Sequence, residues 1–502
     1  MFEAADKLSK NQPTELAGRQ ADGRVGIIDI GSNSIRLVVY DAHKRSPVPI
    51  YNEKVMCALG KGLATSGVLN PEGVELGKIA LRRFIAMGHN MEIAALHVMA
   101  TAAVRDAADG RDFTRWIEKT HKVKVDIISG EEEARLGASA ICSTIYRPCG
   151  ITADLGGGSL ELVRVNDYNT LSHTSLSLGS LRMIDECKGD RDKLKKIIDK
   201  RFAEIDWLNA EETPNIYPIG GSFRALAKIH MEANNYPLEI LHEYTVDAKK
   251  FVVFLREIAV MPVEKLERLS NHAAKRAPAL TGAAMVLDKL ISESSAGQVV
   301  FSASGIREGY VYDHLPDHER GEDGLLSSCY EFAARGRRSP EYAFELFEWM
   351  QPLLKEETEQ EKRLRLAFCL LSDIALHIHP EYRAEWAFQR IIYSAFTSID
   401  HGQRVKLALA LYHRYKFKLK EDFSVLKLIS AEDKKWAALL GASANLAYHL
   451  SGSIKGNLPK TAITIKDRNV VLQLLGNMTD IMGEAVQKRT DGLNETYRAY
   501  ID

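Results

Sequence analysis

Two stretches of the chain repeat nearly the same order of apolar and polar positions. In each, an apolar strand leads into an Asp-x-Gly turn, small polar residues follow, and a second apolar strand rich in β-branched residues completes the pattern. Asp29 and Asp154 hold the same place in the two copies, which cover residues 27–39 and 152–164. This repeat predicts two similar half-domains whose glycine-containing turns approach one cleft from opposite sides.

Strands and helices are predicted to alternate through the first 313 residues. The apolar periodicity indicates strands over 25–40 (with a turn inside it), 96–100, 123–128, 150–154, 160–165, 173–178, 216–219 and 299–302, and helices over 71–90, 102–120, 191–208 and 223–230. Such alternation is typical of layered α/β proteins, so we predict an α/β fold for this part of the chain.

The pattern of apolar and polar positions changes beyond residue 313, where a charged linker containing Pro and Gly precedes long helical patterns with few strand signals. We therefore predict an all-α C-terminal domain over 314–502. The residues before it divide into a flexible N-terminal tail over 1–23, a first half-domain over 24–145 and a second half-domain over 146–313.

Composition narrows the class of protein without identifying its chemistry. The net charge is −1, so a general positive field for nucleic acid is absent and we expect no nucleic-acid partner. The six cysteines include no CxxC pair, which favours reduced thiols over a disulfide framework or a zinc site. Because we find no membrane-length apolar run and no secretory leader, we expect a cytoplasmic protein without a membrane partner.

The repeated turns are the strongest candidates for a binding site. An Asx-turn would explain Asp29 or Asp154 taken singly, but two carboxylates at equivalent places suit a hydrated divalent cation better. Glu161, which either lines the cleft or pairs across the sheet, joins them as the third candidate metal ligand. Backbone N–H groups and hydroxyls in the turns would bind phosphate oxygens. The candidate phosphate-binding residues are Gly31, Ser32, Asn33, Ser34, Gly156, Gly157, Gly158 and Ser159.

Three consecutive glutamates stand at the start of a predicted helix. Ser129 and Glu132 match a capping box, and Glu131 can pair with Arg135 one helical turn later. Glu133 is left without a structural role, at a junction that leads into the second half-domain. We predict that Glu133 is a general base that orients a water molecule, with Glu132 as the alternative.

Two arginines are candidates for stabilising charge on a transferred phosphoryl group. Arg307 lies in a Gly-flanked turn after a predicted buried strand, and Arg105 begins a predicted helix, where an ordinary surface position is the alternative. Guanidinium forks match phosphate oxygens in bidentate geometry. Arg182 and Arg224 follow comparable Gly-Ser turns and are further candidates.

Together these stretches resemble the exopolyphosphatase/guanosine pentaphosphate phosphohydrolase family (the Ppx/GppA phosphatases). The matching blocks run in the family's order, over 29–38, 100–106, 129–136, 154–163, 178–182, 220–224 and 304–309. The resemblance implies an actin-like, ribonuclease-H-like duplicated two-domain fold of the ATPase type, and hydrolysis of a terminal phosphoanhydride with Mg²⁺. It also implies Glu133 as the catalytic glutamate, Asp154 as a second essential acid, and Arg105 and Arg307 as the catalytic arginines.

The C-terminal helices are similar to the domain of longer family members that resembles His-Asp (HD) phosphohydrolases. Ser372 replaces the His expected before Asp373, and His377, His379 and His413 are the remaining candidate ligands. We therefore expect an HD-like domain that holds no metal and instead extends a substrate channel or forms a dimer interface.

We predict an exopolyphosphatase that releases orthophosphate from the end of inorganic polyphosphate and works as a homodimer. The alternative within the family is a guanosine pentaphosphate (pppGpp) 5′-phosphohydrolase that uses the same site. An actin-like ATP-dependent kinase and a non-catalytic polyphosphate sensor are the rivals from other classes. The glutamate triplet disfavours the kinase, because it supplies a base for water rather than for a sugar hydroxyl.

Overall fold

The computed structural model describes residues 23–209, 213–274, 276–335, 340–354, 356–419, 423–475 and 480–502. The described residues fall into two compact units, one ending at Gly321 and the other running from Glu322 to Asp502. The predicted N-terminal tail lies, up to residue 22, outside the described residues. No described helix combines the length and apolar character that crossing a membrane requires.

The first unit opens with a five-stranded mixed sheet in the order β3-β2-β1-β4-β5. The strands β1, β2 and β3 form an antiparallel meander, and β4 and β5 add in parallel beyond β1. The strands are β1 (Val25–Ile30), β2 (Ser34–Tyr40), β3 (Pro49–Met56), β4 (Ala95–Ala100) and β5 (Asp126–Ile127).

A second sheet repeats this order and adds one strand, giving β10-β11-β9-β6-β7-β8. Its strands are β6 (Cys149–Leu155), β7 (Leu160–Asn166), β8 (Asn169–Leu176), β9 (Asn215–Ile219), β10 (Tyr244–Asp247) and β11 (Gln298–Phe301). The register repeats as well: Asp29 lies opposite Arg36 in the first sheet, and Asp154 lies opposite Glu161 in the second. The predicted internal repeat is therefore a structural duplication.

Helices cover both sheets of the first unit. They are α1 (Leu63–Ser66), α2 (Pro71–Asn90), α3 (Ala102–Asp106), α4 (Gly110–His121), α5 (Gly130–Thr144), α6 (Ser180–Cys187), α7 (Arg191–Phe202), α8 (Gly221–Ala233), α9 (Ala248–Val260), α10 (Val263–Glu267), α11 (Asn271–Ala274), α12 (Ala277–Ser294), α13 (Ile306–Asp313) and α14 (Asp317–Arg320). Helix α2 shows the local rules clearly, because Pro71 takes its first position and its buried stripe packs Leu81 and Phe84 into the core.

Helices α5 and α13 pack against each other where the two halves meet. Leu136 on α5 and Val311 on α13 belong to an apolar cluster that also contains Val25 and Tyr40 of the first sheet. The helices approach so closely at Gly309 that a Cβ there would lie 1.9 Å from the Leu136 carbonyl oxygen. Glycine is therefore required at this crossing.

Several predicted elements differ in extent from the observed ones. The helix predicted over 102–120 is two helices, α3 and α4, because the chain turns at residues 107–109. Helix α6 was not predicted, and α7 ends at Phe202 rather than at residue 208. The β3 strand was missed because its outward-facing positions carry polar residues and exposed Ile50 and Met56.

The second unit is mostly helical, but the all-α prediction is wrong in one respect, since β12 (Thr461–Lys466) and β13 (Asn469–Leu474) form an antiparallel hairpin. Alternating Thr, Ile and Val over these residues carry the strand signal that the prediction missed. The helices are α15 (Gly324–Arg335), α16 (Glu341–Met350), α17 (Glu359–Leu371), α18 (Arg383–Ile392), α19 (His401–Tyr415), α20 (Ala431–Ser451) and α21 (Glu484–Ile501), with short 3-10 turns at Gln351–Leu353, Pro380–Tyr382, Ser424–Leu428 and Leu458–Lys460.

The candidate HD-like residues are engaged locally. The Asp373 carboxylate lies 3.4 Å from the Arg414 guanidinium, and His377 packs edge-on against Trp386. The His379 ring caps the 3-10 turn that follows it, and the His413 ring lies 3.3 Å from the Lys416 carbonyl oxygen. These contacts account for each of the four side chains.

Candidate active site

The carboxyl-terminal ends of β1 and β6 face a cavity of about 680 Å³ in the first unit. Most of the predicted site residues line it: Asp29, Gly31, Ser32, Asn33, Ser34, Glu133, Asp154, Gly156, Gly157 and Arg307. The cavity therefore lies between the two repeated turns, where the sequence predicted a cleft.

The two turns are built alike and touch each other. In the first, the Gly31 N–H donates to the Ser34 carbonyl at 3.0 Å, and in the second the Gly156 N–H donates to the Ser159 carbonyl at the same distance. A Cβ on Gly157 would lie 2.4 Å from the Ser32 Cβ. Any larger residue at 157 would push the turns apart, so glycine sets the width of the cleft at this point.

Glu133 lies at the cavity with its side chain almost fully buried. Helix α5 positions it, since the Ser129 hydroxyl caps the helix by accepting from the Glu132 N–H at 3.1 Å. The Arg105 Nη1 donates to Glu133 Oε2 at 3.0 Å. Burial raises the pKa of Glu133 to about 7, against the lowering effect of Arg105. A carboxyl poised near neutral pH is suited to accept a proton from water.

The other two glutamates point elsewhere. The Glu132 carboxylate pairs with Arg135 at 2.7 Å on the exposed face of α5. Glu131 is exposed and lies 3.9 Å from the His173 ring, so it is a solvated residue of the helix surface rather than the partner of Arg135. Only the Ser129 half of the predicted capping box forms, because Glu132 turns toward Arg135. Of the triplet, Glu133 alone is brought to the cavity.

Asp29 and Asp154 are the remaining acids at the cavity. Burial raises the pKa of Asp154 to about 6, with Arg224 acting in the opposite direction. Burial also raises the pKa of Asp29, although Arg307 Nη1 lies 3.9 Å from Asp29 Oδ2 and favours the ionised form. Two buried carboxylates at one cavity can both be ionised only if nearby positive charge stabilises them.

A divalent cation would supply this positive charge. Among the described residues, no set of three or more His, Cys, Asp or Glu side chains is arranged to hold a metal by itself. Magnesium, however, commonly uses one or two carboxylates and completes its octahedron with waters and substrate phosphates. Asp29 and Asp154 match that pattern.

Glu161 does not line the cavity, although it lies opposite Asp154 in the second sheet. Its side chain is 1% exposed, Oε1 accepts from the Ser175 hydroxyl at 3.1 Å, and Oε2 is a buried atom without a hydrogen-bond partner. Burial raises the pKa of Glu161 well above its usual range, with Glu133 and Asp154 adding to the effect. Ser159 is likewise buried, and Gly158 lines a small adjoining pocket instead.

Cationic side chains crowd the cavity wall. Arg307 is buried in the first turn of helix α13, and its Nε lacks a hydrogen-bond partner. Arg224 donates to the carbonyls of Gly220 and Ala303, and burial lowers its pKa to about 10. Four further cations, which the sequence did not predict, also line the cavity: Arg36, Lys54, Lys228 and Arg276. Arg36 could have been found, because it stands inside the repeated segment, whereas the other three carry no motif.

The other two predicted arginines lie beside the cavity rather than on its wall. Arg105 reaches the site through its ion pair with Glu133. Arg182 lines the small adjoining pocket, where it donates to the Gly158 carbonyl and to Asp106. Neither guanidinium is placed as an open phosphate ligand of the main cavity.

The raised pKa of Glu133 has a measurable cost in stability. Because the folded-state pKa of about 7 exceeds the ordinary 4.5, stability should fall as pH rises between these values and stay lowered above them. Glu133→Gln removes the charge while keeping an acceptor for Arg105. We expect it to raise the free energy of unfolding by roughly 1–3 kcal/mol near pH 8 and hardly at all below about pH 4.5.

Denaturant unfolding at both pH values measures this effect, with Glu132→Gln as the matched control because Glu132 is exposed. An equal gain at both pH values, or the same gain in the control, would contradict a buried carboxylate at Glu133.

Comparison with known proteins identifies the family to which the chain belongs. The model of the Ppx/GppA phosphatase family matches residues 38–318, and that of the exopolyphosphatase C-terminal domain matches residues 325–498. The chain is 27% identical to exopolyphosphatase 1 of Mycobacterium tuberculosis over 330 residues, which cover 62% of this chain and 94% of that protein. It is 25% identical to exopolyphosphatase 1 of Mycobacterium leprae over 316 residues, covering 59% and 91%.

Solved structures show the same fold in the first unit. An exopolyphosphatase from Cytophaga hutchinsonii superposes with a TM-score of 0.54 at 22% identity, covering 58% of this chain and 96% of that one. The Aquifex aeolicus member of the Ppx/GppA family gives a TM-score of 0.50 at 21% identity, covering 58% and 97%. The duplicated sheets are thus the actin-like fold that the family resemblance implied. With both domain models matched in order, the chain is a phosphoanhydride hydrolase that belongs to the Ppx/GppA phosphatase family, in its long form.

Proposed function

We propose that this enzyme is an exopolyphosphatase, which hydrolyses the terminal phosphoanhydride of inorganic polyphosphate and releases orthophosphate. The observation that carries the proposal is the position of Glu133, a buried carboxyl with a raised pKa that faces a cavity lined by cations. A base next to an anion-binding wall is the combination that water attack on a phosphate chain requires.

In this proposal Glu133 accepts a proton from a water molecule as the water attacks the terminal phosphorus in line with the departing chain. Arg105 holds the carboxylate in place through its 3.0 Å ion pair. The turns at 31–34 and 156–159 bind the terminal phosphate oxygens with backbone N–H groups and hydroxyls. Arg307 and Arg224 offset the charge that develops on the transferred phosphoryl group and the leaving chain.

The phosphatases of this family depend on a metal. We propose Mg²⁺ as the ion, held by Asp29 and Asp154, where it would neutralise negative charge on the phosphate oxygens. Glu161, behind Asp154 and with one unpartnered carboxylate oxygen, would support the site without reaching the cavity.

The cationic wall favours a long phosphate chain as substrate. Six Lys and Arg side chains line the cavity, at Arg36, Lys54, Arg224, Lys228, Arg276 and Arg307, against three acids, Asp29, Glu133 and Asp154. One terminal phosphate cannot contact all six cations, whereas a chain of phosphates can run along them. The relatives from Mycobacterium also bear the name exopolyphosphatase.

The first test is phosphate release with Mg²⁺ from long-chain polyphosphate and from guanosine pentaphosphate, measured side by side. Preferential turnover of polyphosphate supports the proposal. Preferential turnover of the pentaphosphate would assign the same site to a pppGpp phosphohydrolase. Binding of polyphosphate without turnover would indicate a sensor, and phosphate transfer that requires an acceptor would indicate a kinase. The homodimer, the channel or dimer role of the second unit and the cytoplasmic location stay predictions.

The proposal predicts that activity depends on pH through the charge of Lys54. Partial desolvation, with repulsion from Arg276 and Arg36, lowers the pKa of Lys54 to about 8. Lys54 should therefore lose its charge as pH rises through about 8, and kcat/KM for polyphosphate should fall by roughly two- to fivefold. In Lys54→Arg the guanidinium stays charged, so the decline should be reduced.

Steady-state kinetics from about pH 7 to about pH 9.5 measures this difference between the two proteins. The same decline in both proteins would exclude Lys54 as its source.

A further inference from the structure

Two polar contacts connect helix α6 of the second half to the first half, beside the cavity. Arg182 Nη2 donates to Asp106 Oδ2 at 2.8 Å, and Asp185 Oδ2 accepts from the Gly62 N–H at 3.0 Å. Asp106 ends helix α3, and Gly62 precedes helix α1, so both partners belong to the first half. These contacts join the halves at a place distinct from the crossing of α5 and α13.

The Arg182 guanidinium has a second acceptor. Its Nε donates to the Gly158 carbonyl at 2.8 Å, within the turn predicted to bind phosphate. The start of the same helix also holds the turn, since the N–H groups of Ser180 and Leu181 donate to the carbonyls of Gly156 and Gly157 at 2.9 Å. Arg182 therefore ties the turn of the second half to an acid of the first half.

Asp106 continues this connection to the proposed base. Its Oδ1 lies 3.5 Å from Arg105 Nε, and Arg105 Nη1 donates to Glu133 at 3.0 Å. Polar contacts thus run without a break from the Gly158 carbonyl through Arg182, Asp106 and Arg105 to Glu133. Each step joins groups of opposite charge or a donor to an acceptor.

We propose that Arg182 and Asp106 are positioning residues, which close the cleft and fix the phosphate-binding turn in register with Glu133. This inference rests on the proposed function, in which Glu133 activates water for attack on a phosphate held by the turn. Arg182 acts through Gly158 and Asp106, and it does not line the main cavity. The role differs from that of a phosphate ligand, which the sequence suggested for Arg182.

The pair is suited to open and close during turnover. The side chains of Arg182 and Asp106 are 25% and 35% exposed, and ion pairs of that exposure are weak enough to break and re-form readily. In this structure the pair is formed and the turns approach each other closely at Gly157 and Ser32. Closure of this kind assembles catalytic groups around a bound substrate and excludes water.

The test compares Arg182→Gln, Asp106→Asn and the double variant in steady-state hydrolysis of whichever phosphoanhydride the wild type prefers. We expect each single change to lower kcat about tenfold with KM changed less than about threefold, because misplacement of the base affects the chemical step. The double variant should be no slower than the slower single variant, since both changes break one contact. Arg182→Lys, which keeps the charge but loses the fork, should recover only part of the rate.

A matched control breaks an ion pair of similar geometry elsewhere in the same half. Arg147 pairs with Asp167 at 2.9 Å on the exposed surface, so Arg147→Gln should leave kcat unchanged. A higher KM with intact kcat in Arg182→Gln, and no effect of Asp106→Asn, would overturn the proposal and make Arg182 a phosphate ligand. If kcat also fell tenfold in Arg147→Gln, the loss in Arg182→Gln would reflect a general loss of stability, and the positioning role would be rejected.

A second measurement needs no substrate and separates this inference from the proposed function. Hydrogen exchange of the free enzyme should be faster in peptides covering 156–159 and 60–63 in both single variants, because α6 contacts the first segment through Arg182 and the second through Asp185 and would be held less firmly. Faster exchange in the variants, together with no polyphosphate hydrolysis by the wild type, would contradict the proposed function but would still support the contact between the halves through Arg182 and Asp106. Unchanged exchange together with unchanged kcat would overturn the connection itself.

Discussion

Replacing Glu133 by Gln should lower kcat for polyphosphate hydrolysis about a thousandfold and leave polyphosphate binding almost unchanged. A positioned general base contributes roughly 10²–10⁴-fold to rate, and Gln cannot accept the proton that water must lose. The substituted amide still offers an oxygen to Arg105, so the 3.0 Å contact and the local packing have a replacement. The binding wall is untouched, because its cations lie on other elements.

Single-turnover kinetics and equilibrium binding of labelled polyphosphate measure the two quantities separately. Glu132→Gln is the matched control: it changes the neighbouring carboxylate, which pairs with Arg135 on the exposed face of α5, and should keep kcat within about twofold. Full activity of Glu133→Gln would remove Glu133 from the mechanism. Loss of activity in the control, with Glu133→Gln active, would move the role to Glu132.

Replacing Gly309 by Ala should strongly destabilise the first unit, although it adds only one methyl group. The added Cβ would lie 1.9 Å from the Leu136 carbonyl oxygen and 3.0 Å from the Ala140 nitrogen, both backbone atoms that no rotamer change can move. Helices α5 and α13 would have to separate, at a cost of about 3 kcal/mol or more. For a unit of this size the melting temperature should fall by roughly 6–12 °C.

Activity should fall with it, because α5 carries Glu133 and α13 carries Arg307. The matched control is Gly492→Ala in helix α21, where a Cβ meets nothing within 4 Å and the change should stabilise the helix by up to about 1 kcal/mol. Thermal unfolding of both variants measures the difference. An unchanged melting temperature in Gly309→Ala would show that the two helices tolerate separation.

Two kinds of candidate site residue could be predicted from the sequence: those at equivalent positions of the internal repeat, and those for which helix-capping and pairing rules leave no structural role. Asp29 and Asp154 were found because the repeat marks equivalent positions, and both line the cavity. Glu133 was found because capping and pairing rules assign its neighbours other roles, although the partner of Arg135 was chosen wrongly. The repeat predicted the two half-domains, the alternation of strands and helices predicted the α/β class, and the family resemblance implied the actin-like fold.

What the sequence did not predict depends on contacts between distant segments. Lys54 and Arg276 reach the cavity from β3 and from the turn before α12, and neither carries a motif. Arg182 has a Gly-Ser turn like that of a phosphate ligand, but Asp106, 76 positions away, occupies its guanidinium. The hairpin of the second unit was missed because helices surround it in the sequence and dominate the pattern.

The matched positions Arg36 and Glu161 point to how such a cleft could arise. A duplicated gene begins with two identical copies, and an enzyme made of identical halves would present the same groups to both ends of its substrate. Here one copy carries a cation that faces the cavity, and the other carries a buried carboxylate that does not. The two halves therefore place opposite charges at one matched position, which makes the cleft electrostatically asymmetric although its framework is duplicated.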